Sequence, residues 1–143
     1  MTDLHEQIAQ RLGTGDQRYT STRRDLVDIL RRAGGPVSIP EIQKLAADIP
    51  QSSVYRNLAI LETAGVVTRV VSNDEFGRFE LAEDLIGHHH HLMCESCGAM
   101  SDITIPHEIE EQLDSTLGAL AKASGFTLSH HRLDLVGKCA KCA

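Results

Sequence analysis

Hydrophobic positions in the first 64 residues recur at helical spacing in four successive segments. Ser38 can cap the third helix, with Glu41 three residues after it, and Ser52 or Ser53 can cap the fourth. The predicted helices cover residues 3–12, 20–33, 38–48 and 52–64, and their inward side chains are Leu4, Ile8, Leu12, Leu26, Ile29, Leu30, Ile39, Ile42, Leu45, Ala46, Ile49, Val54, Leu58 and Leu61.

Residues 66–71 and 78–81 are typical of two strands, joined by a polar turn over 72–77. Three helices followed by a β-hairpin predict a winged helix-turn-helix domain, whose last helix would enter the DNA major groove. That helix would expose four polar side chains near its start, and a basic segment precedes the second helix. The candidate DNA-binding residues are Arg23, Ser52, Tyr55, Arg56 and Asn57. A small helical bundle with a polar surface remains the alternative.

The second half mixes short strands with one amphipathic helix. Strands are predicted around 92–93, 103–105 and the end of 126–136, and a helix over 106–124 with Ile109, Leu113, Leu117 and Leu120 inward. The overall prediction is an α+β fold: a DNA-binding domain over 1–82, a hinge over 83–87 and an α/β domain over 88–143.

Composition places limits on location and partners. The chain has 143 residues, 41% hydrophobic, with no apolar run long enough for a membrane helix and no signal-peptide pattern, so we expect a cytoplasmic protein without a membrane partner. The net charge of -6 argues against indiscriminate nucleic-acid binding. However, residues 1–82 carry 11 acids and 10 bases, against 9 acids and 4 bases in 83–143. A local basic surface on the first half is therefore compatible with DNA binding.

Four cysteines form two Cys-x-x-Cys pairs, Cys94 with Cys97 and Cys139 with Cys142. In a reducing compartment such pairs favour a tetrahedral zinc site over disulfides. Four thiolates would complete the shell, so this zinc would be structural and would hold the end of the chain to the start of the second domain. Free thiols or a redox pair are the alternatives.

Four consecutive histidines, His88, His89, His90 and His91, precede the first cysteine pair. In an extended segment alternate side chains point to opposite sides, so this run could supply two separate metal sites. A solvated histidine loop is the other interpretation. A purification-tag remnant is disfavoured because the run is internal and adjoins the cysteines.

Several segments together resemble the ferric uptake regulator (Fur) family across residues 18–143. Residues 88–98 are similar to the family's metal-binding signature, and 52–58 to its recognition-helix motif. Residues 65–67 and 79–81 match the wing, while 129–133 and the final cysteine pair match the C-terminal end.

This resemblance implies a homodimeric repressor that binds double-stranded operator DNA when a metal corepressor is bound, and not an enzyme. It assigns Cys94, Cys97, Cys139 and Cys142 to structural Zn²⁺. It assigns a regulatory divalent metal (Zn²⁺, Fe²⁺ or Mn²⁺) to Glu80, His89, His91 and Asp102. An additional site corresponds to His88, His90, Glu110 and His131, and Tyr55 and Arg56 match DNA-contacting positions.

The chain departs from the family pattern at the regulatory site. Many members have a histidine ligand where this chain has Pro36, which cannot ligate a metal. Asp84 or His5 are candidate substitutes. No cysteine stands just before the histidine run, as zinc-responsive members often have, and the gap between Glu80 and the histidines is long.

Three other functions fit parts of the pattern. A peroxide sensor of the same family would use iron at the same ligands. A zinc hydrolase would need an open coordination position and a substrate pocket, and no H-E-x-x-H motif is present. A zinc-ribbon interaction module would leave the exposed Tyr55 and Arg56 without a role.

Overall fold

The computed structural model describes residues 3–72 and 77–143, which form two parts, each built on a three-stranded sheet. The N-terminal part contains α1 (Leu4–Thr14), α2 (Ser21–Arg32), β1 (Val37–Ser38), α3 (Ile39–Leu45), α4 (Gln51–Thr63), β2 (Val67–Val70) and β3 (Arg78–Leu81). A short helix, α5 (Glu83–Ile86), leads to the C-terminal part, which contains β4 (His90–Cys94), β5 (Met100–Ile103), α6 (His107–Ala123) and β6 (Asp134–Gly137).

The N-terminal part has a continuous hydrophobic core between its helices and its sheet. The strand order is β1-β3-β2, all antiparallel, with Phe79 opposite Val37 and Leu81 opposite Val67. Apolar side chains from α1 to α4 pack on the inner face of this sheet; those fully buried include Ile8, Leu12, Leu26, Val27, Ile42, Val54 and Leu61. Burial of this surface is the main stabilising contribution to this part.

Local capping explains where two of these helices begin. The Thr20 side chain accepts a hydrogen bond from the backbone N–H of Arg23 at the start of α2. The predicted cap at Ser38 is confirmed, because its hydroxyl accepts from the Glu41 N–H at the start of α3. By contrast, α4 begins at Gln51 after Pro50 without a side-chain cap, so the predicted Ser52 or Ser53 cap is wrong.

Three further details differ from the sequence prediction. Leu45, expected inward, is 65% exposed because α3 ends there and the chain turns away. The two-residue strand β1 was not predicted. The predicted hinge includes α5, a single helical turn followed by Gly87 at φ 96°. Most of the predicted turn over 72–77 lies outside the described residues.

The C-terminal part is a second sheet with little hydrophobic core of its own. Its order is β5-β4-β6, with β4 antiparallel to β5 and parallel to β6. Helix α6 covers almost the predicted span, but none of its residues is buried, and Ile109 and Leu120, predicted to face inward, are about half exposed or more, at 48% and 60%. Within this single chain the helix therefore leaves an apolar face uncovered.

The two parts touch beside the start of β1. The backbone N–H of Asp102 donates to the Gly34 carbonyl at 2.8 Å, so β5 lies against the loop after α2. Arg11 of α1 also donates to Asp84 of α5 at 2.6 Å and to the Gly65 carbonyl at 2.7 Å. The α+β fold with an N-terminal winged helix-turn-helix is confirmed. Across 3–72 and 77–143, no helix combines the length and apolar character needed to cross a bilayer.

Candidate metal centres and DNA-binding surface

The histidine run supplies side chains to two different clusters because its end forms the extended strand β4. His89 and His91 lie together, with ring centroids 5.0 Å apart, whereas His88 and His90 form the other pair at 4.6 Å. Cys94 ends the same strand. One short segment thus contributes to three groups of potential metal ligands.

The first group, here called the interdomain cluster, consists of Glu80, His89, His91 and Asp102, whose ligand atoms all lie within 4.8 Å of one another. Glu80 comes from β3 of the N-terminal sheet, and its Oε2 lies 2.9 Å from His89 Nε2 and 3.1 Å from His91 Nε2. Asp102 Oδ1 lies 3.7 and 3.6 Å from the same two nitrogens. Two nitrogens and two carboxylates from both parts of the molecule therefore converge on one point.

Electrostatics at this cluster favour a positive charge between the carboxylates. Burial raises the pKa of the Glu80 carboxyl, but its hydrogen bonds with His91 and His89 outweigh burial and leave that pKa below its ordinary value. The pKa of His91 is raised, chiefly by the hydrogen bond to Glu80. Burial raises the pKa of Asp102. A proton and a metal compete for the same Nε2 atom, so metal affinity here should fall as pH decreases.

The second group, called the additional cluster, consists of His88, His90, Glu110 and His131. Glu110 of α6 is its centre, with Oε2 lying 3.3 Å from His88 Nε2 and 3.1 Å from His131 Nε2, while Oε1 contacts His90. The His131 Nε2 atom is buried without a hydrogen bond of acceptable geometry, although the carboxylate is near. An unsatisfied buried nitrogen facing a carboxylate is suited to a cation.

The third group is the cysteine cluster, Cys94, Cys97, Cys139 and Cys142. Cys97 Sγ and Cys139 Sγ are 3.8 Å apart, which equals the edge of about 3.8 Å expected for a tetrahedron with Zn–S bonds of ~2.3 Å. The backbone N–H groups of Cys139 and Cys97 donate to Cys94 Sγ and lower the pKa of that thiol to about 6. The donor set and spacing therefore fit a closed zinc site.

Neither suggested substitute for the family histidine joins the interdomain cluster. Asp84 pairs with Arg11 at 2.6 Å, and His5 contacts Tyr19 at 2.6 Å and Asp28 at 3.2 Å. Both side chains are held elsewhere, so that expectation is wrong. Within the described residues, the structure brings together the four side chains predicted for this cluster.

Only some of the residues predicted to bind DNA are exposed on α4. Tyr55 is 54% exposed, and Ser52 and Arg56 are also exposed near the start of the helix. The prediction that Asn57 is exposed is wrong, because it is only 7% accessible. Its position three residues after the inward Val54 could have indicated this from the helical period.

Arg23 is also buried. Asn57 is buried because it forms a hydrogen bond with the Arg23 side chain inside the protein. Arg23 Nε donates to Asn57 Oδ1 at 2.9 Å, and Asn57 Nδ2 donates to the Ser53 carbonyl at 2.8 Å. These bonds join α2 to α4 inside the protein, so both side chains orient the helix instead of facing DNA.

Sequence reasoning missed several carboxylates that contact the Nδ1 atoms of the cluster histidines, on the side of each ring that faces away from its cluster. Asp134 Oδ1 lies 3.3 Å from His91 Nδ1, and Asp114 Oδ1 lies 3.2 Å from His131 Nδ1. Glu83 contacts His88 Nδ1. Isolated acidic residues carry no spacing signal, so only the folded arrangement reveals them.

Comparisons with known proteins agree with this arrangement. Residues 14–136 match the model of the "Ferric uptake regulator family". The chain is 30% identical over 130 residues to the peroxide operon regulator of Bacillus subtilis (strain 168), covering 88% of this chain and 84% of the relative.

Solved structures show the same similarity. The Vibrio cholerae ferric uptake regulator is 29% identical, with a TM-score of 0.68 and coverage of 91% of this chain and 98% of that one. A zinc-bound manganese uptake regulator is 30% identical, with a TM-score of 0.69 and coverage of 96% and 99%. Relatives of this kind are transcription regulators, not enzymes. The chain therefore belongs to the ferric uptake regulator family of transcription regulators.

Proposed function

We propose that this regulator is a cytoplasmic, metal-responsive repressor that binds operator DNA as a homodimer, with the interdomain cluster as its regulatory site. One observation carries the proposal: Glu80 from the N-terminal sheet meets His91 and Asp102 from the C-terminal sheet, together with His89, which immediately precedes β4. The proposed domains are 1–82 for DNA binding, 83–87 for the hinge and 88–143 for dimerisation.

The donor set suits a divalent transition metal. Two imidazoles and two carboxylates are ligands for Zn²⁺, Fe²⁺ or Mn²⁺, and no thiolate belongs to this cluster. A bound divalent cation would supply the positive charge that holds ligands from both domains together. The cysteine cluster would hold a structural Zn²⁺, and the additional cluster a further metal.

Residues of both domains link this site to DNA binding. Glu80 lies on β3, whose neighbour β1 leads directly into α3, and α3 and α4 form the helix-turn-helix. Drawing Glu80 towards β4 fixes the angle between the domains and therefore the spacing of the two α4 helices in a dimer. If only a fraction of dimers has the correct spacing, the affinity for DNA is reduced by that fraction.

Exposed apolar side chains of the C-terminal domain support the homodimer. Leu120, Phe126, Leu135 and Val136 are each 49% to 72% exposed, although α6 and β6 lie in an otherwise folded domain. A monomer of this size rarely leaves such surface in water. A second copy of the chain would bury it.

We expect Glu80→Ala to weaken metal-dependent DNA binding strongly while the dimer persists. Loss of one of four ligands should raise the metal concentration needed for half-maximal binding about 100-fold or more, since removing outer partners alone costs 10–100-fold. Fluorescence anisotropy on the protein's own upstream promoter, at fixed salt, would be measured against buffered Zn²⁺, Mn²⁺ and anaerobic Fe²⁺.

The matched control is Glu111→Ala, which removes an exposed carboxylate of α6 that contacts His107. It should leave the metal response unchanged. Size-exclusion chromatography with light scattering would verify the dimer in both variants. A Glu80→Ala protein that is monomeric, or that keeps the normal metal response, would contradict the regulatory assignment.

Peroxide sensing is a second candidate function, favoured by the similarity to the Bacillus subtilis peroxide operon regulator. In that case the regulatory metal is iron, and the output is oxidation of its histidine ligands. Peptides containing His89 or His91 should gain the mass of one oxygen atom after peroxide treatment of the Fe²⁺ form, and the Zn²⁺ form should show no gain. If the peptides are unmodified and DNA binding is intact after peroxide treatment, peroxide sensing is excluded and metal sensing is the remaining function.

A further inference from the structure

Histidines of the two clusters have contacts at both ring nitrogens, one inside the cluster and one outside it. Each of four rings directs Nε2 into its cluster, while Nδ1 meets an oxygen outside it. These outer oxygens belong to Gly87 behind His89 at 3.0 Å, Asp134 behind His91 at 3.3 Å, Asp114 behind His131 at 3.2 Å, and Glu83 behind His88.

Such a contact determines which nitrogen can bind a metal. A neutral imidazole carries one proton, and an oxygen acceptor at Nδ1 keeps the proton there. The lone pair is then on Nε2, which faces the cluster. An anionic acceptor also makes the ring a more basic ligand. Outer oxygens of this kind therefore orient the ring and strengthen its bond to a cation.

Asp134 occupies its place through strand pairing. It begins β6, which runs parallel to β4, and it is the direct partner of His91 in the register. The His91 backbone N–H also lies 3.4 Å from the Leu133 carbonyl. The Asp134 carboxylate is about one quarter exposed, at 27%, and it touches the far side of a ring that is 10% exposed. It thus contacts the regulatory ligand without being a ligand itself.

Asp114 contacts the other cluster from a more exposed position, with its side chain 68% accessible. It lies on α6, one turn after Glu110, and it contacts the Nδ1 atom of His131. The two aspartates lie on different elements and touch different histidines. Each can therefore be removed without touching the other cluster.

We propose that Asp134 and Asp114 are positioning residues, Asp134 for the interdomain cluster through His91 and Asp114 for the additional cluster through His131. The proposal rests on the metal sites of the proposed function, and it deepens that function by naming residues that set the affinity of each site separately. It concerns metal binding alone, so it can be tested without DNA.

The experiment is a Zn²⁺ titration of full-length protein that retains its cysteine-bound zinc. Long-range proton–nitrogen NMR spectra of the histidine rings would report each site, with His91 and His131 as the reporters. Asp134→Ala should lower Zn²⁺ affinity at His91 about 10- to 100-fold and leave His131 unchanged. Asp114→Ala should give the reverse pattern.

The same spectra test whether the aspartates act by positioning. In the parent protein both reporters should carry the proton on Nδ1, and each alanine variant should lose that preference only at its own histidine. Asp134→Asn keeps an oxygen acceptor without the charge, so it should restore the Nδ1 proton and part of the affinity.

Three results would overturn the proposal. One is an Asp134→Ala protein with unchanged affinity at His91, and another is an equal loss of affinity at both clusters, which indicates a general folding defect. The third is a loss of affinity without any change in the protonated nitrogen. A failure of metal to alter DNA binding would overturn the proposed function and leave these site-specific affinities intact, so the two failures are distinguishable.

Discussion

Cys97→Ser should remove the zinc proposed for the cysteine cluster and unfold the C-terminal domain, while the winged helix-turn-helix domain stays folded. Cys97 is exposed, so its sulfur contributes little packing, and a loss of stability would come from the lost ligand. Structural zinc sites of this type contribute about 10–16 kcal/mol in small domains, as much as the whole stability of many domains. The remaining three thiolates cannot close the tetrahedral shell.

The C-terminal domain has little else to hold it together. Among the described residues from 88 onward, Cys94 and Met100 are the only buried hydrophobic side chains, and α6 has none. The strand pairs on either side of β4 span only four residues each. By contrast, the N-terminal core cluster lies within α1 to β3 and does not depend on the cysteines.

Zinc content, oligomeric state and thermal unfolding would be measured together. Cys97→Ser should contain less than one zinc per chain, should be monomeric, and should show one remaining cooperative transition from the winged helix-turn-helix domain. Ala140→Ser is the matched control, because it adds a hydroxyl to the other cysteine turn without removing a sulfur. Full zinc content in a dimeric Cys97→Ser protein would show that three cysteines suffice.

The sequence predicted best where a physical period extends over many residues. The amphipathic patterns of α1, α2, α4 and α6 gave these helices to within a few residues, because several turns repeat the same signal. The strand β1 has two residues and therefore no period, and its existence depends on pairing with β3. Asn57 lies on the inward face of a correctly predicted helix, but it was predicted to be exposed because its side chain is polar.

The candidate sites follow the same logic. The cysteine cluster was evident from two short spacings, and the alternation of β4 separated the histidines into two pairs. Glu80 and Asp102 lie on two other strands from two sheets, so no local pattern connects them to His89. Only the family resemblance named them in advance. Asp134 has neither a motif nor a family assignment in the sequence, and strand register alone brings it to His91.

The contact between the domains also depends on a glycine in the loop after α2. Gly35 lies directly against β5, and a Cβ atom added there would be 2.4 Å from the Met100 carbonyl oxygen and 2.9 Å from Ser101 Cα. Both are backbone atoms, which cannot turn aside as a flexible side chain can. The adjacent hydrogen bond from Asp102 to Gly34 holds the same two segments together.

Gly35→Ala should therefore weaken metal binding at the interdomain cluster without changing any of its four side chains. Overpacking of this kind costs about 1–3 kcal/mol, which corresponds to about 5- to 150-fold in affinity. The strain is relieved when the domains separate, and separation moves Glu80 away from His89 and His91. The expected result is weaker Zn²⁺ binding at the interdomain cluster, with unchanged zinc in the cysteine cluster and unchanged affinity at the additional cluster.

Substitutions at two other glycines distinguish the steric clash at Gly35 from the general effect of replacing glycine by alanine. Gly118 lies within α6 with no atom near its added Cβ, so Gly118→Ala should leave all three sites unchanged. Gly34 also has open space but a φ of +73°, so Gly34→Ala reports the cost of backbone strain alone. If Gly35→Ala weakens the regulatory site more than Gly34→Ala does, the close approach of the two domains is part of the metal site. Equal Zn²⁺ affinity of the interdomain cluster in Gly35→Ala and the parent protein would mean that the domains meet differently when metal is bound. Glu80 would then have to approach His89 and His91 through a different contact between the domains.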